Sequence, residues 1–239
     1  MPDDKDNVDY WISTGTRTGR FRERMRVSFK LAVWKGVILA AYGLKRVLDI
    51  VAATAALVLG SPVFAFTALL IKLEDGGPIF FQQTRVGYRG SHFGMWKFRS
   101  MVTNAEEIKK KLEAQNEMQG GVIFKMKNDP RVTRVGRIIR KYSIDELPQF
   151  WNVLVGDMSL VGPRPSLPRE VAEYRPEQRQ RLMAKPGITC LWQVSGRSEI
   201  DFHGQVRLDL DYIRSTSLWT DIKLLARTVP AVLMGKGAY

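Results

Sequence analysis

Residues 50–71 read IVAATAALVLGSPVFAFTALLI, twenty-two positions without a formal charge, bounded by Asp49 and Lys72. About 20 apolar residues suffice for a helix to cross a bilayer core of about 30 Å. Gly60, Ser61 and Pro62 interrupt the run at its centre. Proline has no N–H to give the preceding turn, and its ring collides with the carbonyl four residues back. A sharp bend is therefore expected at Pro62, with Ser61 or water serving the freed carbonyls. The flanks add a second argument. Nine Lys/Arg and one Glu lie between Arg17 and Arg46, and the polar remainder after Lys72 is basic too. Positive charge favours the cytoplasmic side of a membrane, and here it stands on both sides of the run. A helix that enters, breaks at Ser61-Pro62 and returns to the same face satisfies both facts. Each arm of about ten residues would reach roughly 15 Å, half the bilayer core. A proline-kinked helix that spans the bilayer is the other reading of these residues. A start about fifty residues into the chain argues against a cleaved signal peptide.

Upstream, residues 1–16 are rich in Asp, Asn, Gly and Thr and are expected to be disordered. Residues 17–35, RTGRFRERMRVSFKLAVWK, mix basic and apolar side chains as a segment on an anionic bilayer surface does. A solvated basic tail fits that stretch equally. The 239-residue chain holds 37 Lys/Arg against 24 Asp/Glu, a formal charge of +13. That excess calls for an anionic partner: nucleic acid, anionic lipid or a phosphorylated substrate. One cysteine excludes an internal disulfide framework and any multi-cysteine metal site. The two histidines, His92 and His203, lie far apart, which argues against a histidine metal centre.

Downstream, residues 76–239 read as mixed α and β. Gly76-Gly77-Pro78 is a turn, and IFFQQTRVG and HFGMWKFRSM are short strands that suggest a hairpin. Helices are expected over 103–118, ended by Gly120-Gly121, and over 130–142, where Val132, Val135, Ile138 and Ile139 keep helical spacing. Further helices are expected over 146–155, 169–183, 202–217 and 219–234. No strand–helix–strand repeat appears, which disfavours a doubly wound sheet. The expected fold class is α+β, mainly helical: a compact cytosolic domain over 76–239 with short strands. A re-entrant membrane helix over 44–75 anchors it, behind a basic segment over 1–43.

The densest group of reactive side chains is RKYSIDELPQ, Arg140 to Gln149. Ser143 with Glu146 matches a capping box, but that frame puts Pro148 inside the helix, where its missing N–H costs a bond. With Asp145 as the cap, Pro148 falls in the first turn. Either frame places Asp145 at a helix N-terminus, whose dipole favours the ionised carboxylate. Such a group can attack as a nucleophile or ligate a metal. Attack on a phosphate needs cations to offset the repulsion. Lys97 in WKFRSM, Arg140, and Arg164 between two prolines in GPRP are the candidates.

These stretches resemble the bacterial sugar transferase family, the monotopic polyprenol-phosphate phosphoglycosyl transferases. The resemblance runs from about Lys45 onward through KRVLDI, the Ser-Pro-broken helix, GGPIFFQQTRVG, WKFRSM, DPRVTRVGRIIRKYSIDELPQFWNVLVGDMSLVGPRP, KPGITCLWQVSGR and LDLDYI. It implies transfer of a sugar-1-phosphate from a UDP-sugar to undecaprenyl phosphate with release of UMP. It implies a covalent phospho-sugar intermediate on Asp145. Glu146, with Asp145, would hold Mg²⁺, and Lys97, Arg140 and Arg164 would bind phosphates. Ser61 and Pro62 correspond to the break that makes the family's membrane helix re-entrant. The implied location is the cytoplasmic face of the bacterial inner membrane, monotopic, with the lipid bilayer as a partner. Asp157 matches a position of the family pattern and has a structural reading. The ending GKGAY and the short form without further spanning helices resemble members that start exopolysaccharide synthesis with galactose-1-phosphate.

Rival readings remain at this level. Asp209-Leu210-Asp211 mimics the Asp-x-Asp of metal-dependent glycosyltransferases, although its helical apolar spacing reads as a salt-bridged helix face. A non-catalytic scaffold for polysaccharide assembly is another. No nucleic-acid partner is expected, since no RNP, helix-turn-helix or zinc-finger pattern appears. A homo-oligomer is admitted, without a coiled-coil heptad to specify it.

Overall fold

A computed structural model of the chain describes residues 17–112, 126, 129–196 and 200–234. Residues 1–16, the second half of the helix expected over 103–118 with its Gly120-Gly121 stop, and the GKGAY ending lie outside the described residues. The chain divides into two compact units, Met1–Val47 and Leu48–Tyr239. In the first, the described residues form one helix, the beginning of α1 (Arg17–Leu59), with Phe21, Trp34 and Leu39 exposed.

The second unit opens with the last turns of α1. Ala53 is buried in the main core, and the Asp49 carboxylate accepts a hydrogen bond from Leu160 N–H at 3.0 Å. The helix stops at Leu59, and α2 (Ser61–Asp75) leaves at 57° to it, with Pro62 in its first turn. The bend expected at Pro62 is thus present. Among the described residues no single helix is long and apolar enough to cross a membrane; α1 and α2 meet that measure only as a bent pair. On α2, Thr67 and Ile71 face inward while Val63, Phe66, Leu69 and Leu73 are exposed. An exposed apolar stripe of this kind marks an interaction surface.

The hairpin forms as expected from β1 (Phe80–Val86) and β2 (His92–Phe98), antiparallel with Phe80 opposite Phe98 and Val86 opposite His92. Phe98 packs on Phe64 of α2 and stacks on Phe80, each at 5.2 Å. There follow α3 (Ala105–Leu112), α4 (Arg134–Lys141), α5 (Gln149–Val155) and β3 (Ser159–Val161). Then come α6 (Pro168–Ala172), α7 (Pro176–Arg179), β4 (Gly187–Thr189) and α8 (Leu191–Ser195). The last elements are α9 (Phe202–Arg214) and α10 (Leu218–Met234). Helices with a few short strands make the unit α+β.

Three local expectations need correction. The helix expected over 169–183 is broken, because Pro176 cannot continue the ladder of α6 and instead starts α7. The helix expected from 130 starts at Arg134, where Thr133 accepts from Gly136 N–H at 2.9 Å. Its hydroxyl is the better cap, and Arg131 is engaged with Asp129 at 2.6 Å instead. Strands β3 and β4 pair in parallel, Ser159 opposite Gly187 and Val161 opposite Thr189. Three-residue strands carry too little alternation to be read from sequence. The main core, with Met95, Val153, Met158, Leu160, Tyr212 and Leu224, joins β2, α5, β3, α9 and α10.

Candidate active site

The segment between α4 and α5 resolves the capping question against both frames. Ser143 sits in the left-handed region at φ 55°, a conformation disfavoured for a residue with a Cβ. Its N–H donates to the Arg140 carbonyl at 3.0 Å. Ile144–Glu146 form a single 3₁₀ turn, and Pro148 caps α5 with its φ already near helical. Neither the Ser143 nor the Asp145 side chain caps an α-helix, so no α-helix dipole governs Asp145.

Burial governs it instead. Asp145 keeps 8% of its surface exposed. Desolvation pushes its carboxyl above the usual carboxylate range, and the Glu146 charge adds to that, against opposition from Lys97, Arg140 and Arg164. Burial also works against ionised Glu146, but Lys97 and then Arg164 overcome it and hold that carboxyl low. The distances account for the asymmetry. Lys97 Nζ lies 2.7 Å from Glu146 Oε1 and 3.8 Å from Asp145 Oδ2, and Arg164 Nη1 lies 3.6 Å from Glu146 Oε1. Two adjacent carboxylates thus differ: one stays ionised between cations, the other keeps an affinity for a proton.

Lys97, Arg140, Asp145, Glu146 and Arg164 all line one cavity of about 760 Å³. That volume is ordinary for a small-molecule site. Ser61 and Pro62 do not line it. Lys97 is delivered by β2, which Asn152 of α5 fastens in place. Asn152 accepts from Trp96 N–H at 3.0 Å and donates to the Gly94 carbonyl at 2.8 Å. Asp157 accepts from the same amide at 3.2 Å, a structural contact. Arg164 is carried by the loop after β3, which crosses the start of β4 at very close range. A Cβ on Gly187 would lie 2.1 Å from Gly162 N, so only glycine permits the approach. Tyr174 Oη donates to Ser166 Oγ at 2.7 Å, Arg181 donates to Tyr174 Oη at 3.0 Å, and Asp209 accepts from Arg181 Nε at 2.8 Å. A buried chain therefore supports the loop from α9.

That chain also settles the geometry of Asp209-Leu210-Asp211. Asp209 is fully buried against Arg181, while residues two apart on a helix point in opposed directions. The two carboxylates face no common ion. The dyad offers better chemistry: two neighbouring carboxylates lining the cavity are a donor set of hard oxygens that would suit Mg²⁺. Among the described residues no three Asp, Glu, His or Cys side chains gather into a metal cluster, and Asp145 and Glu146 are the pair that would hold such an ion.

Arg85, which no sequence motif above singled out, lines the same cavity. Strand alternation could have found it. Phe81 pairs with Lys97 across the hairpin, so Gln83 and Arg85 share the face of Lys97.

A model of the bacterial sugar transferase family matches residues 40–235. The chain is 51% identical over 195 residues to the galactosyl transferase CpsE of Streptococcus agalactiae serotype III, covering 81% of this chain and 43% of that one. It is 47% identical over 199 residues to the undecaprenyl-phosphate galactose phosphotransferase of Salmonella typhimurium, covering 82% and 42%. The chain thus spans less than half the length of these two relatives. The exopolysaccharide production protein ExoY of Rhizobium meliloti is 39% identical over 200 residues, covering 82% of this chain and 88% of ExoY. On the family match and this last relative, the chain belongs to the bacterial sugar transferase family.

Proposed function

We propose that this protein transfers a sugar-1-phosphate, with galactose as the sugar that the names of two relatives carry, from a UDP-sugar to undecaprenyl phosphate and releases UMP. The observation that carries the reading is the dyad itself: a buried Asp145 of raised proton affinity beside a Glu146 kept ionised, with Lys97 and Arg164 facing them in one cavity. In the first half-reaction an Asp145 Oδ attacks the phosphorus that bears the sugar. The phosphoanhydride bond breaks and UMP leaves with the electron pair. In the second, an oxygen of the lipid phosphate attacks the same phosphorus. The bond to Asp145 breaks, and a lipid diphospho-sugar forms as the carboxylate is restored. A carboxylate of higher basicity is the stronger nucleophile, which suits Asp145 rather than Glu146. Lys97, Arg140 and Arg164 supply the positive charge that an anion attacking a phosphate needs. Mg²⁺ bound at Glu146 and Asp145 would neutralise phosphate charge as the bond to UMP breaks.

The acceptor's tail stays in the bilayer and the donor stays in water, so the reaction belongs at their boundary. The 57° break at Gly60-Ser61-Pro62 and the exposed stripe Val63, Phe66, Leu69 and Leu73 support a re-entrant anchor. It would hold the dyad at fixed depth on the cytoplasmic face of a bacterial inner membrane, an arrangement that works by proximity. The product would be the first lipid-linked sugar of an exopolysaccharide.

A panel of UDP-sugars, each offered with undecaprenyl phosphate, tests the reading through the nucleotide released. UMP, with UDP-galactose the best donor, is expected. UDP release would favour a glycosyltransferase, and no release from any donor would favour a scaffold.

A further inference from the structure

Phe81, Gln83 and Arg85 alternate along strand β1, and all three line the cavity. Arg85 donates to Gln83 Oε1 through Nε at 3.1 Å and Nη2 at 2.6 Å, and to the Pro165 carbonyl through Nη1 at 2.9 Å. Both acceptors are neutral. None of the ion pairs among the described residues includes Arg85. Burial, and then the nearby charge of Arg164, push its guanidinium down to about 10, with Glu170 and Glu146 offsetting this in part. A half-buried cation with no carboxylate in ion-pair contact is unfavourable, and a second guanidinium close by adds to the cost. An anion in the cavity would relieve both. A guanidinium has five N–H donors in a planar fork, so donors remain for such a ligand.

We propose that Arg85 is a substrate-binding residue which, with Arg164, grips the diphosphate of the nucleotide-sugar donor. This rests on the donor reading above. Each phosphate of the donor carries one negative charge, and two forked cations match two phosphates in charge and geometry. The single phosphate of the lipid acceptor does not require both. The bond from Arg85 to the Pro165 carbonyl couples the two cations, because Pro165 follows Arg164 directly.

The test uses the full chain in detergent micelles, with Arg85→Gln and Arg85→Lys. Inorganic pyrophosphate binding is measured by calorimetry, and KM for each substrate by UMP release. Loss of a charge-assisted contact predicts pyrophosphate affinity and donor KM worse by roughly 10- to 100-fold in R85Q. The lysine variant should lose less, and KM for undecaprenyl phosphate should stay unchanged. Unaltered pyrophosphate affinity and donor KM, with only kcat reduced, would overturn the proposal in favour of loop support. A higher KM for the acceptor alone would overturn it in favour of the lipid phosphate. If R85Q fails to fold, the lysine variant carries the comparison. Pyrophosphate binding needs no turnover, so it judges Arg85 even if no UDP-sugar is a donor.

Discussion

Replacing Lys97 by Met keeps the length of the side chain and removes the charge that sets the two carboxylates apart. The ammonium stands 2.7 Å from Glu146 and 3.8 Å from Asp145, with all three side chains mostly buried. Unit charges about 4 Å apart at an effective dielectric of 20 interact by about 4 kcal/mol. Removing one partner of a buried pair costs about 3–5 kcal/mol in folding free energy. Arg164 remains 3.6 Å from Glu146, which puts this case near the lower end, about 3 kcal/mol. For a chain of this size that is a fall in Tm of about 6–12 °C. The pH dependence identifies the cause. Glu146 is held low in the fold, so its contribution is present above its unfolded pKa and is lost as pH falls through the folded one. Lys97→Met shrinks that contribution. Its deficit should be full at pH 7 and should narrow from about pH 5 downward, where glutamate begins to take up protons. Thermal unfolding in detergent from pH 8 to pH 3 reads this directly. A deficit that stays constant across pH would mean that Lys97 acts by packing, and would refute the electrostatic account of the dyad.

Three other outcomes follow from the same geometry. Asp145→Asn should abolish UMP release yet raise Tm at pH 8, because the raised proton affinity of Asp145 means its ionised form costs stability there; the gain should vanish at acid pH, and a lower Tm at pH 8 would contradict it. Asp209→Ala should destabilise by about 3–5 kcal/mol by leaving Arg181 buried and unpaired, whereas Asp211→Ala should stay within about 0.5 kcal/mol and keep its turnover. Loss of turnover in Asp211→Ala with an unchanged melting curve would restore the Asp-x-Asp reading. Single cysteines at Val47 and Leu73, both exposed, should react with an impermeant thiol reagent from one side of the membrane only, while buried Cys190 stays silent; labelling from opposite sides would replace the hairpin by a spanning helix.

Much of this site was legible because its residues cluster in sequence. Arg140, Asp145 and Glu146 lie within one turn-rich segment, and prolines on both sides singled out Arg164. Lys97 could be named, but its partner could not, since the register of β1 with β2 and the Asn152 clasp decide which carboxylate it meets. The electrostatics of Asp145 have the opposite sign to the sequence expectation. A helix dipole was expected to ionise Asp145, yet a left-handed Ser143 diverts the chain into a 3₁₀ turn, and desolvation then dominates. Backbone strain at a serine leaves no trace in composition or periodicity. The Asp209–Arg181–Tyr174–Ser166 chain was illegible for a different reason. Its members come from separate elements and meet only once the core of Tyr174, Phe202 and Val206 is packed.

In the proposed reaction Asp145 itself carries the phosphorylated sugar between two substrates. Intact-mass and peptide mass spectrometry of protein incubated with UDP-galactose alone, then quenched in acid, measures this most directly. A hexose-phosphate adduct on Asp145 is expected, formed with UMP before any lipid acceptor is added and discharged when undecaprenyl phosphate follows. Protein that stays unmodified, with UMP appearing only when donor and acceptor are both present, would contradict it.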